Sequence, residues 1–540
     1  MSTLAVVYIG TDSAYPFEPF FGGRSAFERC LDWLHSLSCV SRVLVCTDSG
    51  AAAPERAAYI AEAAERAACE ASEKTYERRT LETPCTAALL AAAARAAKDC
   101  GAERVLFALG NCPFYDAALT QELLETHSRY AAEYTFADCY PLGFAPEVLD
   151  TGALGILARF AQGGEGIPQA AADAGRKSIS FDSIFGVIKT DVNSFEIETV
   201  LSPLDMRLYR LEFSCACKRT ALSCRALYEA AEKRHDFSPL ALCRAARETP
   251  AVLRTVPSFY YIQIAVPCTG TCTFCPYPAA CGKKYGCQPA AIQGADAYMP
   301  YERFEKIIDA AQELSEQAVI SLSLWGEALL HPDIARCMSA VLKKPGLSLC
   351  IETDGVNAGG ELIDSIRREL SGIDWQNRLF WIVSCDAADA ETYAKLHGCE
   401  SGVFAVVQHS IELLEQAFPG CVYEQFVRMN ENEQELERFY RYWKEHGRAL
   451  IQKYDNFCGL LADRKTADLA PAERKPCWHL RRDMHILADG TVPLCRERVL
   501  DSSLGCVFSE SLETIWQRAA ADETADPLCR TCDEYYTFNF

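Results

Sequence analysis

The sequence lacks any long apolar run. A membrane-spanning helix needs about 18 consecutive apolar residues free of charge, and the chain contains no such stretch. The N-terminal segment, residues 1–10, also lacks the basic region and the small-residue cleavage site of an export signal. We therefore expect a cytoplasmic protein with no membrane partner.

Positive charge is also scarce. The chain has 53 Lys and Arg residues against 74 Asp and Glu residues, which gives a formal net charge of −21 at pH 7. No local basic patch offsets this balance. Because a surface of this sign repels phosphate backbones, we expect no nucleic-acid partner.

Cysteine, in contrast, is abundant, with 28 residues in a chain of 540. Without an export signal, these cysteines do not predict a disulfide framework. Most lie singly within apolar strand or helix patterns, as Cys46 and Cys350 do, and should behave as small buried hydrophobic residues. Only the clustered cysteines are expected to bind a metal.

A chain of this length should form roughly three or four domains of about 150 residues. Strand and helix patterns alternate through most of it, which predicts an α/β protein. A charged helical stretch separates two such regions, and the tail differs from both in composition. The predicted domains are 1–214, a helical linker at 215–255, 256–455, and a small domain at 456–540.

The first region is expected to contain a mainly parallel sheet. Gly22-Gly-Arg-Ser25 and residues 109–114 resemble two turns of the sugar-nucleotide cytidylyltransferase-like (GT-A) fold. However, residues 10–23 contain no Lys or Arg, and Asn111 stands where that family has a metal-binding Asp. Because these residues would hold a triphosphate and Mg²⁺ poorly, we expect a domain for scaffolding or substrate binding that transfers no nucleotide.

The tightest cysteine group is Cys268, Cys272 and Cys275, which follows an apolar, β-prone run at 259–266. Thiolates in C-x3-C-x2-C spacing can hold three irons of a [4Fe–4S] cube and leave the fourth iron without a protein ligand. Three close cysteines can also be part of a zinc site. The spacing, with Phe274 before the third cysteine, resembles the radical S-adenosylmethionine (SAM) signature. The resemblance implies a SAM-binding [4Fe–4S] cluster.

Six strand patterns alternate with helices between residues 256 and 455. They are too few for a closed eight-stranded barrel, so we expect a (β/α)6 partial barrel, as in radical SAM enzymes. The functional side chains of parallel barrels gather at the C-terminal ends of the strands. The predicted strands are 259–266, 319–325, 347–353, 379–385, 422–428 and 449–454.

Polar residues do follow these strands. Residues 325–333 resemble the Gly-Gly-Glu-Pro turn of the family, although Trp325 replaces the first Gly; Glu327 would then accept the amino group of SAM. By the same resemblance, Ser384 and Asp386 are expected at the ribose and Arg428 at the carboxylate of SAM. The residues assigned to cofactor binding in this way are Phe274, Gly326, Glu327, Thr353, Ser384, Asp386 and Arg428.

The tail contains four further clustered cysteines, arranged as C-x12-G-x4-C and then C-x2-C. The arrangement resembles SPASM and twitch domains, which implies a second, auxiliary [4Fe–4S] cluster ligated by four thiolates. A structural Zn(Cys)4 site has the same ligand count. We also expect a hairpin turn at residues 489–490 and a helix beginning near Leu504. The cysteines are Cys477, Cys495, Cys529 and Cys532.

Taken together, the regions resemble the spiro-SPASM group of radical SAM proteins. The resemblance implies that SAM binds the open iron, that one electron breaks its S–C5′ bond, and that the 5′-deoxyadenosyl radical takes a hydrogen atom from a substrate. A small-molecule or peptide substrate and a reducing partner such as flavodoxin or ferredoxin are implied. The substrate is expected to be a sugar- or nucleotide-linked metabolite. The alternatives are peptide or protein maturation and a catalytically silent Fe–S or zinc protein.

Overall fold

The computed structural model describes residues 2–70, 73–499, 502–519 and 527–537. The chain divides into two compact units, Met1–Leu253 and Arg254–Phe540. None of the helices within the described residues is long and apolar enough to cross a membrane.

The first unit alternates strands and helices, as the sequence predicts. Its strands are β1 (Thr3–Ile9), β2 (Val40–Thr47), β3 (Thr75–Thr80), β4 (Arg104–Leu109), β5 (Tyr134–Asp138), β6 (Glu147–Asp150) and β7 (Ile197–Leu201). Its helices are α1 (Ala26–Ser36), α2 (Pro54–Glu70), α3 (Thr86–Cys100), α4 (Ala117–Arg129), α5 (Thr151–Gln162), α6 (Gln169–Arg176), α7 (Ser183–Ile188), α8 (Lys218–Glu232) and α9 (Pro239–Glu248).

These strands form one seven-stranded sheet in the order β3-β2-β1-β4-β6-β5-β7. Strand β6 runs antiparallel to both of its neighbours, and the other strand pairs are parallel. Strands β1 and β4 are almost continuously apolar and buried, because helices cover both faces of the sheet. The predicted mainly parallel sheet is confirmed.

Helices α8 and α9 lie in the segment predicted as a linker. Their apolar residues, among them Leu227 and Leu242, are fully buried in a hydrophobic cluster of the first unit. Helix α9 begins after Ser238, whose hydroxyl accepts a hydrogen bond from the Ala241 amide. The segment therefore contributes to the core of the first unit, and the domain boundaries stay predictions.

The second unit continues the alternation. Its strands are β8 (Phe259–Ile262), β9 (Ala318–Ser321), β10 (Leu347–Thr353), β11 (Leu379–Ser384), β12 (Val422–Arg428), β13 (Ala449–Lys453), β14 (Asp483–Ile486), β15 (Thr491–Val492) and β16 (Gly505–Cys506). Its helices are α10 (Tyr277–Tyr285), α11 (Tyr301–Ser315), α12 (Ile334–Leu342), α13 (Gly360–Glu369), α14 (Ala390–His397), α15 (Gly402–Ala417), α16 (Leu436–His446), α17 (Trp478–Arg482) and α18 (Leu512–Arg518).

All six predicted barrel strands are present, in a parallel sheet ordered β13-β12-β11-β10-β9-β8-β14. Within the described residues the sheet does not close, which agrees with a partial barrel. The central strands β10 and β11 carry the core, where Leu349, Ile351, Trp381 and Val383 are fully buried. Because all these strands run in the same direction, the loops that follow them lie at one edge of the sheet.

The seventh strand, β14, belongs to the tail and was not predicted. It pairs with β8, so that the tail extends the barrel sheet. Its sequence, Asp-Met-His-Ile, places two ionisable residues in a fully buried strand. Asp483 is accommodated there because its carboxylate binds Arg482 Nε and His479 Nδ1, each at 2.6 Å. A hydrophobicity pattern does not reveal such ion pairs, so it could not predict this strand.

The tail differs from the prediction at one further element. The helix expected from Leu504 begins only after Ser511, whose hydroxyl accepts a hydrogen bond from the Thr514 amide. Before it, β16 pairs with β15 in an antiparallel ladder. The predicted turn at residues 489–490 is present, with Gly490 at φ 83° donating its N–H to Leu487.

Candidate functional site

The three clustered cysteines lie on the loop that leaves β8. A methyl group at Gly270 would lie 3.5 Å from Cys272 Sγ and 3.7 Å from Cys268 Sγ, so both sulfurs face the same backbone position. The Cys275 amide donates a hydrogen bond to the Cys272 carbonyl oxygen at 3.2 Å, which turns the loop back on itself. The structure therefore holds the predicted triplet in one folded loop, with the Cys268 and Cys272 sulfurs beside the same residue.

The surroundings of these thiols disfavour bare thiolates. Burial raises the pKa of Cys268 to about 12 and that of Cys275 to about 11. For Cys272, burial and the neighbouring Cys275 and Cys268 sulfurs raise the pKa well above its usual value. A metal centre would supply the positive charge that deprotonated sulfurs require here. The donor set thus fits an iron–sulfur cluster.

The C-terminal end of α14 holds the cysteine loop in place. Thr271 Oγ1 donates to the Gly398 carbonyl at 2.9 Å, and the Thr273 amide donates to the Leu396 carbonyl at 2.8 Å. A side chain at Gly398 would approach Thr271 Oγ1 to 2.5 Å, and the backbone φ there is 64°. Only glycine allows so close an approach.

The predicted Gly-Glu turn after β9 packs against the same loop. Gly326 has a φ of 83°, and a side chain there would lie 2.0 Å from the Ala265 carbonyl oxygen. The Glu327 amide donates to the Pro267 carbonyl at 2.9 Å, next to the first cysteine of the triplet. The turn is therefore built for close contact with the chain that carries the cysteines.

The Glu327 carboxylate is 3% exposed and shapes this turn. It accepts hydrogen bonds from Thr353 Oγ1 and the Leu329 amide, both at 3.0 Å, and from the Asp354 amide at 3.1 Å. Burial and the Asp354 carboxylate raise the pKa of Glu327 to about 8. The structure thus places Glu327 and Thr353 together, and their contact with SAM stays a prediction.

Asp386 lies beyond the end of β11 with its side chain fully buried and a φ of 54°. Its Oδ1 accepts the Val427 amide at 2.7 Å, and its Oδ2 lies 3.2 Å from His397 Nε2. Ser384 Oγ lies 3.5 Å from Gln425 Nε2. Their assignment to the ribose of SAM stays a prediction, and Asp386 already holds partners within the protein.

Arg428 and Phe274 are the remaining predicted SAM contacts. Arg428 forms a two-pronged ion pair with Glu433, in which Nε lies 3.1 Å from Oε2 and Nη2 binds Oε1. This hydrogen bonding raises the pKa of Arg428. Phe274 packs edge-on against His397, with 5.3 Å between ring centroids. SAM would have to compete with Glu433 for the guanidinium.

A cavity of ≈ 210 Å³ adjoins the cysteine loop. Phe274 and Cys275 line one part of it, and Asp455 and Arg496, from the segment after β13 and from the tail, line another. Its remaining polar and aromatic lining comes mainly from strand ends and the loops that follow them. These residues include Tyr261, Ser323, Trp325, Glu352, Gln425 and Lys453.

The four predicted tail cysteines line a second, smaller cavity. The structure therefore brings Cys477, Cys495, Cys529 and Cys532 together from three separate chain segments. Arg496, which directly follows Cys495, lines this cavity as well as the larger one. The tail site and the larger cavity are thus neighbours within the second unit.

Sequence reasoning missed a fifth cysteine in the tail cavity, Cys458. Phe457 and Cys458 both have left-handed backbones, with φ of 51° and 53°, which is unfavourable for residues other than glycine. A hydrogen bond between the Cys458 and Cys532 side chains raises the pKa of Cys458 and lowers that of Cys532. Cys458 could have been noticed from its position in an Asn-Phe-Cys-Gly turn directly after the last barrel strand.

Comparison with known proteins agrees with this site. Residues 262–442 match the family model of the radical SAM superfamily. Residues 477–533 match SPASM, an iron–sulfur cluster-binding domain. An uncharacterized protein of Treponema pallidum is 38% identical over 370 residues, which cover 66% of this chain and 98% of that protein.

Several solved structures are similar at low identity. A cytidylyltransferase from Leptospira borgpetersenii is 12% identical, with 47% of this chain and 97% of that chain covered and a TM-score of 0.35. Streptococcus suis SuiB bound to the precursor peptide SuiA is 15% identical, with 55% and 76% covered and a TM-score of 0.38. No residue assignment follows from similarity at this level.

Proposed function

This chain belongs to the radical SAM superfamily and carries a SPASM iron–sulfur domain, and on that premise we propose that it uses a 5′-deoxyadenosyl radical to take a hydrogen atom from a sugar- or nucleotide-linked metabolite. As a radical SAM enzyme, it uses a SAM-binding [4Fe–4S] cluster. When bound, that cluster supplies the electron that breaks the S–C5′ bond of SAM. The supporting observation is the cavity that adjoins the cysteine loop.

The residues around this cavity have distinct tasks in the proposal. Cys268, Cys272 and Cys275 hold the cluster, and the buried Glu327 orients SAM through its ammonium group. Phe274 and Trp325 line the cavity with apolar surface that excludes water from the reacting atoms. The chain's own contribution is thus to bind, orient and shield.

The lining of the cavity favours a polar metabolite. Sites for small molecules are concave and place a few polar groups among apolar and aromatic side chains. The cavity lining mixes aromatic rings with Glu352, Gln425 and Lys453, side chains that can bind hydroxyl and phosphate groups. These features suit a polar metabolite.

The position of the tail site favours an oxidative outcome. Arg496 lines both the cavity of the tail cysteines and the larger cavity. A redox centre beside the substrate can take the electron that remains after hydrogen abstraction, which would complete a dehydrogenation. We further propose that the protein acts in the cytoplasm and receives electrons from flavodoxin or ferredoxin.

A deuterium-transfer experiment tests this function. The anaerobically reconstituted full-length protein is incubated with SAM, reductant and an extract from perdeuterated cells, divided into small-molecule and peptide fractions. We expect deuterium in 5′-deoxyadenosine with the small-molecule fraction and no product from Cys268→Ala. Transfer from the peptide fraction alone would contradict the metabolite assignment. A complete lack of 5′-deoxyadenosine would indicate a catalytically silent protein.

A further inference from the structure

We propose that His397 is a positioning residue for the SAM cluster, with its Nδ1–H donating a hydrogen bond to the Cys272 sulfur. This inference rests on the proposed function, because it requires a cluster at the cysteine triplet. His397 Nδ1 lies 3.4 Å from Cys272 Sγ, within reach of a hydrogen bond to sulfur. The predicted SAM contacts did not include this histidine.

The imidazole ring is held rigidly in this position. His397 is the last residue of α14 and is 4% exposed. Tyr393, one helical turn earlier, stacks on the ring with 4.0 Å between centroids and an interplanar angle of 12°. Phe274 packs against the same ring edge-on at 5.3 Å. A ring packed on two sides keeps its nitrogen directed at the sulfur.

The second ring nitrogen faces a buried carboxylate. His397 Nε2 lies 3.2 Å from Asp386 Oδ2, and Asp386 is fully buried. Asp386 is itself fixed, because its Oδ1 accepts the Val427 amide at 2.7 Å and its carbonyl accepts Asn432 Nδ2 at 2.7 Å. The arrangement parallels the carboxylate–histidine pairs that orient ligands at metal sites.

The chemistry of the sulfur fixes the direction of this contact. A cysteine sulfur bound to iron has no proton, so it can only accept, and Nδ1–H must be the donor. The Asp386 carboxylate lies on the other side of the ring, where it can fix the ring's orientation. Asp386 acts through His397 in this arrangement rather than on a ribose.

A donor at this sulfur should affect the cluster's reduction potential. Hydrogen bonds to the sulfurs are among the features that set the potential of an iron–sulfur cluster. Reduction adds negative charge, which a nearby N–H donor stabilises. Removal of His397 should therefore make the cluster harder to reduce, even where the three cysteines still hold it.

The test is a redox titration of the reconstituted full chain, followed by electron paramagnetic resonance. The SAM cluster is identified as the signal that changes when SAM is added, since only an open iron binds SAM. His397→Phe keeps the ring packing and removes the Nδ1–H donor; we expect the midpoint potential of this signal to become more negative. His397→Gln, which keeps an N–H donor, should give a smaller shift.

His409→Phe is the matched control, because His409 lies in the same unit on α15 with its side chain 68% exposed. It should leave the potential unchanged. A wild-type potential in His397→Phe would overturn the inference. A second measurement needs no substitution: protein labelled with ¹⁵N-histidine should show hyperfine coupling of ¹⁵N to the SAM-responsive signal.

Absence of this coupling would likewise overturn the role of His397. These measurements distinguish an error in the proposed function from an error in the role of His397. If the wild-type protein shows no SAM-responsive signal at all, the proposed function is wrong. If that signal is present but neither coupled to ¹⁵N nor shifted in His397→Phe, only the inference on His397 is wrong.

Discussion

The two cysteine sites of the second unit have the same donor atoms but are built in opposite ways. The triplet comes from one loop after β8, where the Cys268 and Cys272 sulfurs lie beside Gly270 and Cys275 lines the large cavity. The tail site gathers thiols from separate segments after β13, around α17, after β15 and near residue 530. Closing such long chain segments costs more entropy than folding one short loop.

The origin of the ligands, from one loop or from several segments, determines what each site can do. A short loop can offer three ligands and leave one iron exposed to an incoming molecule. A site with ligands from distant segments encloses its metal and depends on tertiary folding, to which metal binding then contributes. The comparison therefore predicts different effects of ligand loss. Loss of ligands in the cysteine loop should abolish SAM cleavage, whereas loss of ligands at the tail site should destabilise the fold.

The largest effect should come from the triplet. Replacement of Cys268, Cys272 and Cys275 by Ala removes all protein ligands of the open cluster, so SAM cleavage should fall to background. The iron content should fall from about eight to about four per chain, because the tail cube is retained. Anaerobic assay of 5′-deoxyadenosine and iron analysis measure both.

Cys281→Ala is the matched control for the triplet. Cys281 lies on α10, is fully buried and packs in the same small hydrophobic cluster as Cys268 and Cys275. We expect it to be dispensable for the cluster, with full iron content and SAM cleavage retained. Cleavage of SAM by the triplet variant would disprove the assignment of the open cluster.

The next largest effect should come from the tail. Cys495→Ala should lose about half of the iron but keep the SAM-responsive cluster. Because the metal ties separate segments together, the melting temperature of the second unit should also fall. Calorimetry and iron analysis of this variant, with Cys506→Ala as the control, measure the two effects. Retention of one zinc ion and no tail iron would instead identify a structural zinc site.

A smaller effect is expected at Glu327, beside the cysteine loop. It tests whether this site, unlike the tail site, binds SAM. Glu327→Gln keeps the size of the side chain and removes its charge. Loss of a hydrogen bond to a charged group costs about 1.5–3 kcal/mol, so SAM should bind roughly 10- to 100-fold more weakly. Isothermal titration calorimetry of the reconstituted protein gives the dissociation constant.

The pH dependence follows from the pKa of Glu327, about 8 in the free protein. An ammonium group favours the ionised carboxylate, so SAM binding below pH 8 must release a proton from Glu327. The affinity of the wild type should therefore rise between pH 6 and about 7.5, where the SAM amino group stays mostly protonated. Glu327→Gln should show no such rise; an equal slope in both proteins would rule out Glu327 as the titrating group.

Much of the fold was predictable because its elements are locally encoded. The six barrel strands are apolar runs that lie at the predicted places, although β8 and β9 are shorter than predicted, and helices alternate with them as expected. The Gly-Glu turn after β9 was predicted from its resemblance to a family motif, and the φ of 83° at Gly326 explains why glycine is needed there. Local sequence patterns were sufficient to predict elements that form within a single segment of the chain.

The features that were missed depend on contacts between distant segments. Strand β14 required the partners of Asp483, and His397 became relevant only when α14 placed it beside Cys272. Cys458 lies alone in the sequence and joins the tail thiols only in the folded chain. Such residues cannot be assigned from spacing, because their neighbours are set by the fold.

The smallest effect is expected at Cys458, and it would complete the contrast between the two sites. A cube needs four protein thiolates, and the tail cavity contains five thiols, two of which, Cys458 and Cys532, are hydrogen-bonded side by side. Cys458→Ala should therefore retain the full iron content. Cys532→Ala should also retain most of it, because Cys458 can take the vacated position, whereas the double variant should lose about four irons. Cys495→Ala provides the reference for complete loss of the tail cluster. If Cys532→Ala loses as much iron as Cys495→Ala, Cys458 does not substitute, and its strained backbone has another cause. If it retains iron, the closed site carries a reserve ligand, and the open site, with three cysteines for three irons, does not.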